Sequence, residues 1–162
     1  MDGAGGKDIK INELLKDKYI ELDLKERTKK EVICKLAEVI AKSGRIKNKN
    51  LILKAVMARE ELGSTGIGNG VAIPHAKLKS IKKPFLVFGR SMEGVDFDSL
   101  DGEKTYIFFM LISPQEEVGI HLKLLARISH VIRDKFTVKR LRKIKIKEDV
   151  YSIISDVERY FK

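Results

Sequence analysis

The run Thr105 to Ile112, TYIFFMLI, constrains this chain more than any other stretch. A strand with one wet face alternates apolar and polar residues, whereas a strand covered on both faces reads as one apolar run. TYIFFMLI is almost wholly apolar, so it predicts a central strand covered on both sides. The other elements must then supply the cover.

They are legible around it. Tyr19 to Leu24 (YIELDL) alternates and predicts a strand. Thr28 stands three residues before Glu31, a capping box that starts a helix. Val32, Ile33, Leu36, Val39 and Ile40 give that helix one apolar face, and Ser43-Gly44 ends it. A second helix is predicted from about Asn50 to Leu62, with Leu51, Ala55 and Ala58 inward and Gly63 as its stop. Val71 to Ile73 and Phe85 to Gly89 read as short strands. Gly119 to Ile132, Val138 to Ile144 and Asp149 to Tyr160 read as helices. Strands and helices mixed in this order predict an α/β sandwich with helices packed on a sheet.

The length of 162 residues suits one domain, and a 43% hydrophobic content provides a core. No apolar run is long enough to span a membrane, and MDGAGGKDIKINELL lacks the apolar region of a signal peptide. Residues 1–9 are read as a flexible N-terminus and 10–162 as the domain. Cys34, the one cysteine, falls in an apolar helical pattern. A single buried thiol fits a reducing cytoplasm.

The net charge of +10 raises the question of a polyanion partner. Its main concentration is Arg133 to Lys147, RDKFTVKRLRKIKIK, with eight basic residues against Asp134. Aromatic residues do not interleave with these charges as a single-strand binding surface needs. A solvated face is the plainer reading, and no nucleic acid is expected.

The densest chemistry lies at residues 63 to 77, GSTGIGNGVAIPHAK. Gly63, Gly66, Gly68 and Gly70 permit positive φ and close backbone approach. Ser64, Thr65 and Asn69 add groups that hydrogen-bond an anion or the turn itself. Pro74 suits the end of a strand, which places His75 where a β run stops. A neutral imidazole is a nucleophile at neutral pH. The residues alone leave a structural histidine beside a tight turn as the alternative. The turn lacks the Gly-Lys-Ser/Thr ending of a nucleotide-binding P-loop.

GSTGIGNGVAIPHAK closely resembles the active-site segment of the IIA components of the bacterial phosphoenolpyruvate–sugar phosphotransferase system, in their fructose/mannitol/nitrogen-regulatory class. MAREELGSTG before it, and DSLDGEKTYIFFMLISP and GIHLKLLARISHVIRD after it, extend the resemblance over about residues 10 to 160. The resemblance implies a three-layer sandwich, a mixed β-sheet with helices on both faces. It implies that His75 accepts a phosphoryl group from the phosphocarrier HPr or its paralogue, with no metal or organic cofactor. The group then passes to a IIB partner. Alternatively, the phosphorylation state controls binding to a kinase, transporter or transcription factor.

His121 opens a helix and sits at the margin of its apolar stripe, near a helix N-terminus whose N–H groups and dipole favour an anion. The resemblance places it beside His75. His130, nine residues on, falls about half a turn away and reads as a surface residue. That geometry disfavours a shared metal site. Arg59, just before the glycine turn, is either a cation on the helix dipole or, as the resemblance implies, a partner of the phosphoryl charge. Ser64, Thr65, Gly68 and Asn69 complete the expected phosphoryl-binding set. Some relatives carry a carboxylate where Asn69 stands. Phe88, Met92, Val95 and Phe97, around a predicted turn in GRSMEGVDFD, either border the His75 mouth or fold back on the core.

Overall fold

The apolar run becomes strand β6, Thr105–Pro114, in a computed structural model that describes residues 8–161. The other strands are β1 (Ile20–Glu21), β2 (Gly66–Gly68), β3 (Val71–Ala72), β4 (His75–Leu78) and β5 (Phe85–Val95). The helices are α1 (Ile11–Leu14), α2 (Lys29–Ala41), α3 (Lys49–Glu61), α4 (Val118–Arg133), α5 (Lys135–Lys143) and α6 (Lys147–Glu158). The strand order is β1-β5-β6-β3-β2, and β4 follows β3 along the same side of β6. β6 is antiparallel to β5 and parallel to β3 and β4.

Period two along β6 divides the core. Phe108, Met110 and Ile112 pack with Val32, Ile33 and Leu36 of α2 and Ile52 and Val56 of α3. Ile107, Phe109 and Leu111 pack on the other face with Leu124 and Ile128 of α4, Leu141 of α5 and Ile153 of α6. The sheet is therefore the middle layer of a three-layer α/β sandwich, as the continuous apolar run predicts.

Several local signals carry through. Thr28 and Glu31 make the reciprocal capping box of α2. Gly44 adopts φ 84° beyond its end. Gly63, at φ 142°, follows α3.

Others need correction. The predicted strand Tyr19 to Leu24 shrinks to Ile20–Glu21 after a 3-10 turn at Asp17–Tyr19. Only Ile20 and Glu21 pair in register with β5, and Leu24 is held by its N–H on the carbonyl of Arg90. The buried stripe of α3 is Ile52, Val56 and Glu60; Leu51 and Ala58 are exposed. A buried glutamate in the stripe disguised it. β5 runs on through Arg90 to Val95, where a turn was expected, and bends at an irregularity between those two residues. Phe88, Val95 and Phe97 are core residues, and only Met92 of that group is exposed. α5 starts three residues earlier than predicted, because Asp134 caps it through the N–H of Phe136. Cys34 is half-buried rather than buried.

Residues 1–7 of the expected flexible terminus lie outside the described residues. Asp8, the next, is already fastened to Arg127, which also meets Glu158 at 3.0 Å. Glu158 in turn accepts from the N–H of Ile11. No helix among the described residues is long and apolar enough to cross a membrane.

Candidate functional site

Pro74 interrupts the chain between β3 and β4, so His75 begins a strand instead of ending one. It pairs with Leu111, whose side chain belongs to the α4 face, and so shares that face. Its Nδ1 lies 2.7 Å from the carbonyl oxygen of Ile73. A carbonyl only accepts, so Nδ1 carries the proton and donates. In the neutral ring the lone pair therefore sits on Nε2. Burial pushes the His75 imidazole below its ordinary value; the Ile73 carbonyl opposes the shift and the Arg59 cation adds to it.

His121 is the fourth residue of α4 and its side chain is buried. Its own N–H is spent on the carbonyl of Glu117, so the side chain and not the backbone carries any role here. The ring lies 5.5 Å from that of His75, centre to centre, with planes inclined at 51°. Its Nδ1 is 2.7 Å from Oγ of Ser113. Burial, then the charge of a protonated His75, then Lys77, bring its pKa down to about 4. Both rings are thus neutral near pH 7.

Arg59 approaches from the opposite layer. It sits in the last turn of α3, and its Nη1 donates to the carbonyl of Gly63 at 2.9 Å. That bond holds the guanidinium at the mouth of the loop leading to β2. Behind it, Glu60 is buried and accepts from the backbone N–H and the hydroxyl of Thr65 and from Nζ of Lys29 at 2.8 Å. Lys29 also lies over the ring of Phe97. A buried carboxylate persists only when paired and hydrogen-bonded, and this one binds the α3 end, the α2 start and the loop together.

The four remaining expected residues are placed differently. Ser64 donates to the carbonyl of Phe97 and accepts from the N–H of Gly66. Thr65 is buried on Glu60. Both line the loop beside Ile73, whose N–H meets the carbonyl of Thr65, but their polar groups are already engaged. Gly68 and Asn69 form the far turn of the β2–β3 hairpin. Gly70 meets β6 at Tyr106 and Ile107, while His75 meets it at Leu111. Tyr106 and Leu111 are five residues apart, about 16 Å along a strand. The N–H of Asn69 is taken by Asp101 at 3.0 Å, and a side chain at Gly68 would meet the same carboxylate. The extended hairpin carries this turn away from the histidines.

Two neighbours escaped the sequence reading. Lys77 stands two residues after His75 on the same face of β4 and lowers the pKa of both histidines. That spacing was visible in PHAK. Ser113 closes the apolar run just before Pro114; a lone hydroxyl there was the available signal. His130, expected at the surface, is half-buried, with its ring 5.3 Å from that of Phe161. Among the described residues no group of three or more His, Cys, Asp or Glu is placed to hold a metal ion.

The structure sets an imidazole with a free Nε2 lone pair beside a second neutral imidazole, with the charges of Arg59 and Lys77 felt at the first. The class so defined is a three-layer α/β protein with two neutral histidines side by side. The chain belongs to the family described as phosphoenolpyruvate-dependent sugar phosphotransferase system, EIIA 2, whose model matches residues 13–157. It is 35% identical over 147 residues to the PTS system fructose-specific EIIABC component of Bacillus subtilis (strain 168), a match covering 91% of this chain and 23% of that one. It is also 35% identical over 147 residues to a nitrogen regulatory protein of Bradyrhizobium diazoefficiens, covering 90% of this chain and 94% of the relative. The crystal structure of nitrogen regulatory protein IIA-Ntr from Neisseria meningitidis superposes with a TM-score of 0.84 at 30% identity, covering 89% of this chain and 98% of that one.

Proposed function

We propose that His75 is a phosphoryl acceptor and that the protein is a phosphohistidine carrier. The observation that carries this reading is the bond from Nδ1 of His75 to the carbonyl of Ile73, which leaves Nε2 as the nucleophile. The phosphoryl donor is phospho-HPr or its paralogue. The Nε2 lone pair forms a bond to phosphorus as the donor's own P–N bond breaks, and that bond's electron pair stays on the donor imidazole. The proton stays on Nδ1, donated to the carbonyl of Ile73, and that bond supports the positive charge that develops on the ring. Arg59 and Lys77 offset the charge spread over the phosphoryl oxygens, and His121 lies beside them. Positioning and charge supply most of the rate in such a transfer.

A IIB component is the acceptor in this reading, in keeping with a relative named as an EIIABC component. A second reading rests on the other relative. The chain spans 94% of a nitrogen regulatory protein, which favours a protein whose phosphorylation state selects a target. The two readings share the first step and differ in the receiver. Transfer of label from the phosphorylated protein to a IIB component separates them. The shared step is tested by phosphorylating the protein with phosphoenolpyruvate, Enzyme I and HPr and recording its phosphorus NMR spectrum. The signal of an Nε2-phosphohistidine supports the reading; an Nδ1 signal or no signal contradicts it.

A further inference from the structure

We infer that Ser113 is a positioning residue: its hydroxyl donates to Nδ1 of His121 and fixes that ring with its proton on Nε2. The inference rests on the proposed carrier role of His75 for its consequence, but its geometry stands apart from that role.

Ser113 is the ninth residue of β6 and has no exposed surface. Like Leu111, two residues before it, its side chain falls on the α4 side of the sheet. Its Oγ lies 2.7 Å from Nδ1 of His121, between two buried groups. The direction of that bond follows from what else the hydroxyl has. Among the described residues it makes no second hydrogen bond. Were it to accept from Nδ1–H, its own proton would be buried without a partner, a state that buried polar groups avoid. Were it to donate, both atoms would be satisfied at once. Donation requires a lone pair on Nδ1, so the neutral ring must carry its proton on Nε2. The pKa of about 4 keeps the ring neutral, which removes the imidazolium form with its two donors.

The two histidines are then held in opposite tautomers. The carbonyl of Ile73, which can only accept, gives His75 an Nε2 lone pair. The hydroxyl of Ser113, which donates, gives His121 an Nε2–H. One ring presents the nucleophile and the other presents a hydrogen-bond donor, at 5.5 Å between centres. An opposite tautomer of His121 would set a lone pair beside the phosphoryl oxygens and repel them. Ser113 acts only through His121, and nothing places it against the reacting group.

The test is the nitrogen–proton correlation spectrum of the imidazole rings in the resting full chain at about pH 7, for wild type, Ser113→Ala and Ser113→Thr. Wild-type His121 should show its proton on Nε2, and Ser113→Ala a mixture of tautomers. Phosphoryl uptake by Ser113→Ala should fall by about tenfold to a hundredfold, the range for losing a group that orients a histidine. Ser113→Thr keeps a hydroxyl and should restore both readouts. A wild-type ring protonated on Nδ1 overturns the inference, as does a Ser113→Ala protein with the wild-type tautomer or the wild-type rate. The wild-type spectrum decides the matter even if a variant fails to fold. It is read without any phosphoryl group, so a His75 that never takes one up would sink the carrier reading and leave the tautomer result standing.

Discussion

Two ends of one fifteen-residue stretch behave differently. In GSTGIGNGVAIPHAK, the Pro-His end sets His75 beside His121, while the Gly-Asn-Gly turn lies some 16 Å away by strand spacing, against Asp101. The sequence shows both as neighbours of one motif. An extended strand advances about 3.3 Å per residue, so a hairpin tip cannot also be at the strand's other end. Asn69 serves its turn: it holds φ 56°, a value side-chain-bearing residues seldom adopt, and its N–H is spent on Asp101. His75 spends one ring nitrogen on Ile73 and keeps the other. The difference between them is a free group against an engaged one.

Substitutions near the histidines and in the turn should separate sharply. Arg59→Ala should slow phosphoryl uptake by about a hundredfold or more, as removal of a preorganised charge does, with folding intact. Asn69→Ala should leave the uptake rate at the wild-type value. A rapid-quench comparison checks both, and a slow Asn69→Ala protein would bring the turn back into the site.

Stability divides the stretch again. Glu60→Ala would strand Lys29 and the N–H and hydroxyl of Thr65 beneath the loop. Breaking a buried pair this way should cost about 3 to 5 kcal/mol in urea denaturation. A loss under about 1 kcal/mol would mean that the network holds the loop less than its burial implies.

The pH dependence gives a third contrast. The His121 pKa is about 4 folded, against an ordinary 6.5, so the unfolded chain binds the proton more tightly. Its contribution is full above pH 6.5 and is lost as pH falls towards 4, at most about 3 kcal/mol. His75 shifts in the same direction. Denaturation at several pH values should show His121→Gln with a weaker decline in that window. Equal slopes would deny His121 its buried neutral state.

The smallest effect belongs to the turn. Asn69→Gly should change stability by no more than about 0.5 kcal/mol, because glycine tolerates the left-handed backbone. Asn69→Ala should cost about 1 kcal/mol. Thermal midpoints resolve the pair.

The fold was legible where one periodicity spoke alone. TYIFFMLI gave the middle strand, and Thr28 with Glu31 marked the start of α2. It was obscured where polar residues are buried. Glu60 hid the inward face of α3, so Leu51 and Ala58 stood in for Ile52 and Val56. GRSMEGV read as a turn because a long bent strand carries glycines and an exposed Met92. In the site, the pairing of His75 with His121 followed from resemblance, since the rings are 46 positions apart and meet only through β4, β6 and α4. The engagement of Ser64 and Asn69 was invisible because their partners Phe97 and Asp101 are 33 and 32 positions away, whereas Thr65 is taken by Glu60 only five residues before it.

An intact mass shows whether His75 carries the phosphoryl group. The protein and its His75→Ala variant are mixed with phosphoenolpyruvate, Enzyme I and HPr, with the donor shown to be active. One acid-labile phosphoryl group on the wild type and none on the variant is the expected result. A phosphoryl group on His75→Ala, or none on the wild type, would contradict the assignment of His75 as the carrier.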